Sequence, residues 1–159
     1  MITMRVGQGF DVHRFTDDPA RRMVLGGVEF PGERGLAGHS DADVVAHAVV
    51  DALLGAAGLG DIGQHFPDTD DRWRGADSIE MLREVARMLE TAGWTAVNVD
   101  CNVVCERPVL APRRGAMEER LADVVGAPVS VKGRRAESLG AIGRGEGIAC
   151  WAVALVAKT

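Results

Sequence analysis

Four residues with metal-ligand chemistry crowd the start of one helical stretch: His39, Asp41, Asp43 and His47. Ser40, with Asp43 three residues on, is a capping-box-like start, and Val44 to Leu54 then follows the helical period. Asp43, His47 and Asp51 stand four apart and share one polar stripe. Upstream, Asp11 and His13 lie one residue apart in a strand-like run, so both point the same way, about 7 Å apart at the backbone. That spacing lets both converge on an ion whose ligand bonds are about 2.0–2.2 Å. Carboxylate and imidazole are donors that divalent metals prefer. Asp11, His13 and His47, with His39 close by, are a mixed N/O set with an open position, the pattern of a catalytic zinc. Solvated acids at a helix start, one satisfied histidine and a chance Asp-x-His pair account for the same residues without a metal.

A second group lies late in the chain. Gly133 to Gly147 is basic and glycine-rich, with Arg134, Arg135, Glu137 and Arg144, and is long for a plain connection. Basic side chains and glycine backbone near an open metal suit a phosphate-bearing ligand. Between the groups, Gly58-Leu-Gly-Asp61-Ile-Gly63 and His65-Phe-Pro-Asp68-Thr-Asp70-Asp71 read either as two turns or as a lid over a polar ligand. No Gly-Lys-Ser/Thr follows, so this is not a phosphate loop of the Walker type. The residues alone reach a metal-assisted reaction at phosphate.

Several elements must position these groups. Arg5–His13 reads as a strand whose Gly7 and Gly9 allow close backbone approach. Met23–Phe30, with Gly26-Gly27, reads as a β-hairpin. Ser78–Glu90 is an amphipathic helix ended by Gly93, and Trp94–Cys105 a valine-rich strand. Pro112 leads a third helix to about Val125, with Arg113, Arg114, Glu118, Glu119 and Arg120 as its solvated face. Val129–Lys132 is a short strand, and Ile148–Ala157 is a last strand apolar on both faces. One of those faces can pack on the helices. The other has no second helix layer to cover it and calls for oligomerisation.

At 159 residues the chain fits one domain, 1–159. Its 47% hydrophobic and 26% charged residues are ordinary globular composition. Net charge is −5 with no Lys/Arg run longer than two, which argues against nucleic acid as partner but leaves an anionic substrate open. No apolar run reaches the roughly 18 residues of a membrane span, and the N-terminus enters a strand pattern without a signal segment, so a cytoplasmic protein is expected. Cys101 and Cys105 would lie about 13 Å apart along a strand, too far to chelate one ion. With Cys150 they read as buried small hydrophobes in a reducing compartment.

Five motifs in order resemble one family. They are Phe10-Asp11-Val12-His13; His39-Ser40-Asp41-x-Asp43-x-x-x-His47; Asp51-Ala-Leu-Leu-Gly55; Gly60-Asp-Ile-Gly63 with Phe66-Pro-Asp-Thr-Asp70; and Gly143-Arg-Gly-Glu-Gly-Ile-Ala-Cys150. In register from about Arg5 to Lys158, they are similar to the 2-C-methyl-D-erythritol 2,4-cyclodiphosphate synthases of non-mevalonate isoprenoid synthesis. The resemblance implies an α+β, two-layer sandwich: a mostly four-stranded mixed sheet with helices on one face and a small β-hairpin. It also implies a homotrimer with active sites between neighbouring subunits. In that family pattern Asp11, His13 and His47 match the zinc ligands, and His39 and Ser40 the segment touching the substrate phosphate, with His39 stabilising the transition state. Asp61, Ile62 and Gly63, with Phe66, Pro67, Asp68, Thr69 and Asp70, match the loop holding the methylerythritol part. Cys105, Glu106, Arg107, Pro108, Val109, Leu110 and Ala111 match the cytidine-side segment, which acts largely through backbone groups. Arg134, Arg135 and Ala136 precede Glu137, the match for the residue holding a second divalent ion, magnesium or manganese; Ala141 and Arg144 stand at further substrate positions. The reaction implied is intramolecular cyclisation of 4-diphosphocytidyl-2-C-methyl-D-erythritol 2-phosphate, with release of cytidine monophosphate.

The chain departs from that pattern at several places. Arg134-Arg135-Ala136 replaces a threonine-rich run, Ala141 an aromatic, Gln8 a histidine, Val109 a lysine and Trp151 an acidic residue. Arg135 is expected to bind the transferring phosphoryl group by charge where the family uses a hydroxyl; the alternative gives both arginines to solvent or to Glu137. A zinc hydrolase of another nucleotide-linked phosphate and a non-catalytic, metal-stabilised trimer are the competing functions.

Overall fold

A computed structural model describes residues 2–158. Strand β1, Thr3–Arg14, alternates: Gly7, Gly9, Asp11 and His13 face inward, while Val6, Gln8, Phe10 and Val12 face outward. The inward glycines make room for helix α1, Val44–Ala57, which is buried on nearly every side. A methyl group on Gly7 would sit 2.0 Å from the Ala52 carbonyl oxygen, and one on Gly9 1.9 Å from that of Ala48. The close approach expected at these glycines is therefore that of a helix backbone.

Strands β2, Val24–Leu25, and β3, Val28–Glu29, pair antiparallel across Gly26-Gly27. Both glycines have positive φ, 58° and 70°, as the tight primed turn requires. Helix α1 is capped by Asp43, not by a Ser40-led box: the Asp43 carboxylate accepts from the Val45 and Ala46 amides. Ser40 Oγ instead accepts from the Ala42 amide. A short helix α2, Ile62–His65, follows, then a 3-10 turn at Asp71–Trp73 and helix α3, Ser78–Thr91.

Strand β4, Thr95–Val104, is joined by helix α4, Arg114–Val125, to the parallel strand β5, Val129–Arg134. The stretch expected as one long loop after Lys132 is shorter than expected, because β5 continues to Arg134 and Gly140–Gly143 forms a helical turn, α5. Strand β6, Gly147–Lys158, pairs antiparallel with both β1 and β4. The sheet order is β1-β6-β4-β5, a mixed four-stranded sheet. On the expected wet face of α4, Glu118 has a structural role, since its Oε1 accepts from the Val131 amide of edge strand β5 at 2.8 Å.

Ile148, Cys150, Ala152, Ala154 and Val156 of β6 join Val99, Cys101 and Val103 of β4 in the core beneath α1, α3 and α4. The opposite sheet face is bare: Val6, Phe10, Val12, Trp151 and Val153 are all exposed. Cys101, Cys105 and Cys150 are buried free thiols. Among the described residues no helix is long and apolar enough to cross a membrane.

Candidate active site

The close packing of α1 on β1 brings His47 against the C-terminal half of β1. Asp11, His13 and His47 each offer one donor atom, all within 4.8 Å of one another, close enough to hold one divalent ion. Asp11 Oδ2 lies 3.0 Å from both His13 Nε2 and His47 Nδ1, and the two ring nitrogens are 3.3 Å apart. His13 spends its other nitrogen on a hydrogen bond from Nδ1 to the Ala37 carbonyl, 2.7 Å, which leaves the Nε2 lone pair for the cluster. His47 faces the cluster with Nδ1, and its Nε2 lies 2.8 Å from Ser78 Oγ and 3.1 Å from Ser40 Oγ.

Charge in the cluster is set by these contacts. Burial disfavours the Asp11 carboxylate, but hydrogen bonds and positive charge from His13 and His47 outweigh burial and hold the carboxyl well below its usual range. Burial likewise opposes charge on His13, yet the Asp11 hydrogen bond and charge, with the Ala37 carbonyl, raise its pKa above the ordinary imidazole value. A preorganised set of one carboxylate and two imidazoles with both histidine tautomers held from behind fits a divalent metal.

The cluster opens on a cleft of about 510 Å³ whose walls include His39, Ser40, Ile62, Gly63, Phe66, Pro67 and Asp68. His39 Nε2 lies 3.2 Å from the Asp70 carbonyl. Its loop is braced by Arg21, whose guanidinium donates to the carbonyls of Leu36, Gly38 and Ser40. Asp51 accepts from the Ile62 amide at 2.8 Å and so ties α2 to α1. Asp61 caps α2 and Asp70 caps the 3-10 turn while holding Arg72, so their carboxylates serve the loop itself. Thr69 is exposed beside them.

Two acids with ligand chemistry stand outside the cluster. Asp43 is fully buried and accepts from the Gly26, Gly27, Val45 and Ala46 amides, so it stitches the hairpin to α1. Burial, and then the charge of Asp41, push its carboxyl up to about 6, against the pull of those amides. Asp41 binds the Ser78 hydroxyl and amide. The fourth histidine, His65, bonds the Leu59 carbonyl at 2.7 Å.

The late group forms a separate cleft of about 180 Å³ lined by Cys105, Glu106, Pro108, Val109, Leu110, Ala111, Arg134 and Arg135. Arg107 turns away to pair with Glu33, 3.0 Å. Glu106 accepts from the Ala136 amide at 2.9 Å, which ties the chain after β5 to the cleft wall. Burial, and then Glu106 and Glu33, push the Cys105 thiol up to about 11, so it is no nucleophile near neutrality. Glu137 lies on neither cleft wall; it is exposed in a left-handed turn with Ser138, φ 53° and 62°. Ala141 sits in α5, and Arg144 pairs with Glu146 at 2.6 Å. Arg114 is an additional cation on this cleft, and Trp73 and Met81 additional apolar walls of the first. Arg114 is one of five charged residues on one helix, and nothing in its spacing singles it out.

The two clefts share no lining residue. Both lie at the end of the sheet where β1, β4 and β5 finish, but β1 and β5 are its opposite edges, about 14 Å apart over three strand spacings.

The family model described as YgbB family matches residues 4–157 of the chain. The chain is similar to the 2-C-methyl-D-erythritol 2,4-cyclodiphosphate synthase of Rubrobacter xylanophilus, 60% identical over 97% of this chain and 95% of that one. It is similar in structure to the bifunctional IspDF of Campylobacter jejuni, with a TM-score of 0.94 and 37% identity over 100% of this chain and 43% of that one. It is similar also to the Plasmodium falciparum IspF CDP complex, with a TM-score of 0.85 and 32% identity over 98% of this chain and 97% of that one. A family match along almost the whole length, together with the mixed sheet and the Asp-His-His cluster, leads to one conclusion: the chain belongs to the YgbB family, that of the 2-C-methyl-D-erythritol 2,4-cyclodiphosphate synthases.

Proposed function

We propose that residues 1–159 form one cyclodiphosphate synthase domain, which cyclises 4-diphosphocytidyl-2-C-methyl-D-erythritol 2-phosphate to 2-C-methyl-D-erythritol 2,4-cyclodiphosphate. The observation that carries this reading is the convergence of Asp11, His13 and His47 on one point in a chain 60% identical to a synthase of that name. An oxygen of the substrate's 2-phosphate attacks the β-phosphorus of its diphosphate arm and forms a new P–O bond. The bond from that phosphorus to the bridging oxygen breaks, and cytidine monophosphate leaves with that oxygen and the electron pair.

Asp11, His13 and His47 would hold zinc, and Glu137 magnesium or manganese, and these ions would supply Lewis-acid charge to the phosphates. The rest is positioning and electrostatics by the chain. His39 and Ser40 meet the 2-phosphate from the braced loop, and Asp61–Gly63 with Phe66–Asp70 hold the methylerythritol part. The Cys105–Ala111 segment takes the cytidine, with Ala136 tied to it through Glu106, and Ala141 and Arg144 close the late end. Arg135, with Arg134 beside it, binds the phosphoryl oxygens by charge.

The reading includes a homotrimer. The exposed Val6, Phe10, Val12, Trp151 and Val153 form an apolar sheet face suited to burial against other copies. Packing copies on that face can set one copy's Cys105–Ala111 cleft against the next copy's metal cleft. Sedimentation at micromolar concentration is expected to give three chains; a stable monomer contradicts this. The buried free thiols fit a reducing cytoplasm. The activity itself is tested by cytidine monophosphate release from the substrate: it is expected to stop on chelation and return with zinc. Release unaffected by chelation contradicts the metal-dependent reading.

A further inference from the structure

The nitrogen that His47 turns to the cluster is fixed by a chain of contacts behind it. His47 is 7% exposed and Ser78 not exposed at all. The Ser78 hydroxyl donates to Asp41 Oδ1, and the Ser78 amide donates to Asp41 Oδ2 at 3.1 Å. Asp41 Oδ1 also accepts from the Asp43 amide, 3.1 Å, so the carboxylate is anchored at the start of α1. With its proton committed to Asp41, Ser78 Oγ has only lone pairs left for His47 Nε2, 2.8 Å away. His47 must therefore carry a proton on Nε2, so Nδ1, which hydrogen-bonds Asp11 in the metal-free cluster, is the nitrogen whose lone pair would face a metal held with Asp11 and His13. His13 is held in the opposite sense, with its proton on Nδ1 against the Ala37 carbonyl. The arrangement joins three elements: the loop before α1, the first residue of α3, and the first turn of α1.

We infer that Ser78 and Asp41 are positioning residues for the metal centre: a carboxylate–hydroxyl–imidazole relay that selects the His47 tautomer and holds the ring for Nδ1 ligation. Partners behind a metal-bound histidine fix its orientation and basicity, and their loss costs about 10–100-fold in metal affinity. Ser40 Oγ, at 3.1 Å, is a secondary contact, because it already accepts from the Ala42 amide. The inference rests on reading Asp11, His13 and His47 as zinc ligands, and the test separates the two.

Zinc affinity is measured on the whole chain by competition with a chromophoric chelator, and the His47 tautomer by nitrogen-15 NMR of the metal-free protein. The unmodified chain is expected to bind one zinc and to show His47 protonated on Nε2. Ser78→Ala is expected to keep its melting temperature within a few degrees, to lose zinc affinity by about 10–100-fold, and to show a mixture of His47 tautomers. Ser78→Thr, which keeps a hydroxyl, is expected to recover most of the affinity and the Nε2–H tautomer. Ser78→Ala with unchanged affinity, or with reduced affinity and the Nε2–H tautomer intact, overturns the relay. An unmodified chain that takes up no zinc overturns the metal reading itself.

Discussion

Gly9 lies so close to Ala48 that a Cβ on the glycine would sit 1.9 Å from the Ala48 carbonyl oxygen and 2.7 Å from the Ala52 amide nitrogen. The contact connects fold to site, because Gly9 and Asp11 share a face of β1 and Ala48 adjoins His47. Backbone cannot yield as a flexible side chain does, so Gly9→Ala must push α1 off β1. The expected cost is about 3 kcal/mol or more, with zinc binding weakened in parallel. Gly115→Ala on α4 meets nothing within 4 Å and is the control; it is expected to leave zinc binding unchanged and to raise stability by up to about 1 kcal/mol. Thermal unfolding and metal titration of both variants check this.

Asp43→Asn separates a structural acid from a ligand. Both carboxylate oxygens accept backbone amides, so an amide nitrogen would face at least one buried N–H. Stability is expected to fall by about 1–3 kcal/mol, the cost of leaving a buried donor unsatisfied. Zinc stoichiometry is expected to stay at one per chain. Denaturant unfolding and metal analysis of the purified variant read the two effects separately.

The metal-free cluster should respond to pH on two sides. The Asp11 pKa is depressed, so its contribution is present above the unfolded carboxylate value of 3.8 and is lost as pH falls through the lower folded value. The His13 pKa is raised, so its contribution is full below 6.5 and is lost as pH rises through the higher folded value. Metal loading needs His13 neutral and therefore runs the other way. Between pH 6 and 8 this pair's contribution to metal-free stability is expected to decline, while the increment in melting temperature given by zinc grows. Melting curves with and without zinc across that range check both trends.

Local periodicity makes much of this site legible in the sequence. Asp11 and His13 share a strand face because side chains alternate, and His47 stands in a helix whose apolar pattern requires burial. The β4–α4–β5 crossover and the doubly apolar β6 follow from the same patterns. What is not legible depends on docking. Asp43 has ligand chemistry, yet it is taken by hairpin amides that arrive from 17 residues away. Ser78 reads as an ordinary residue at a helix start, and only the seating of α3 beside α1 makes it a partner of His47. Glu118 falls on the wet side of α4 by period, but an edge-strand amide claims it.

Arg135 lines the late cleft, at a position where the sequence resemblance implies a hydroxyl. If its guanidinium binds the transferring phosphoryl group, Arg135→Ala is expected to lower turnover by about 10²–10³-fold, the loss typical of one preorganised electrostatic donor. Arg135→Thr is expected to recover part of that loss. Steady-state kinetics on both variants check this, and unchanged turnover and KM in Arg135→Ala assign the side chain to solvent.

The proposed displacement is intramolecular, and oxygen labelling reads it directly. The enzyme, loaded with zinc and magnesium, is incubated with the cytidine diphosphate-linked substrate in water enriched in oxygen-18, and the products are weighed by mass spectrometry. One cytidine monophosphate is expected for each 2,4-cyclodiphosphate, with no heavy oxygen in either product. An open-chain bisphosphate, or cytidine monophosphate carrying one solvent oxygen, would show water as the nucleophile and make the protein a hydrolase.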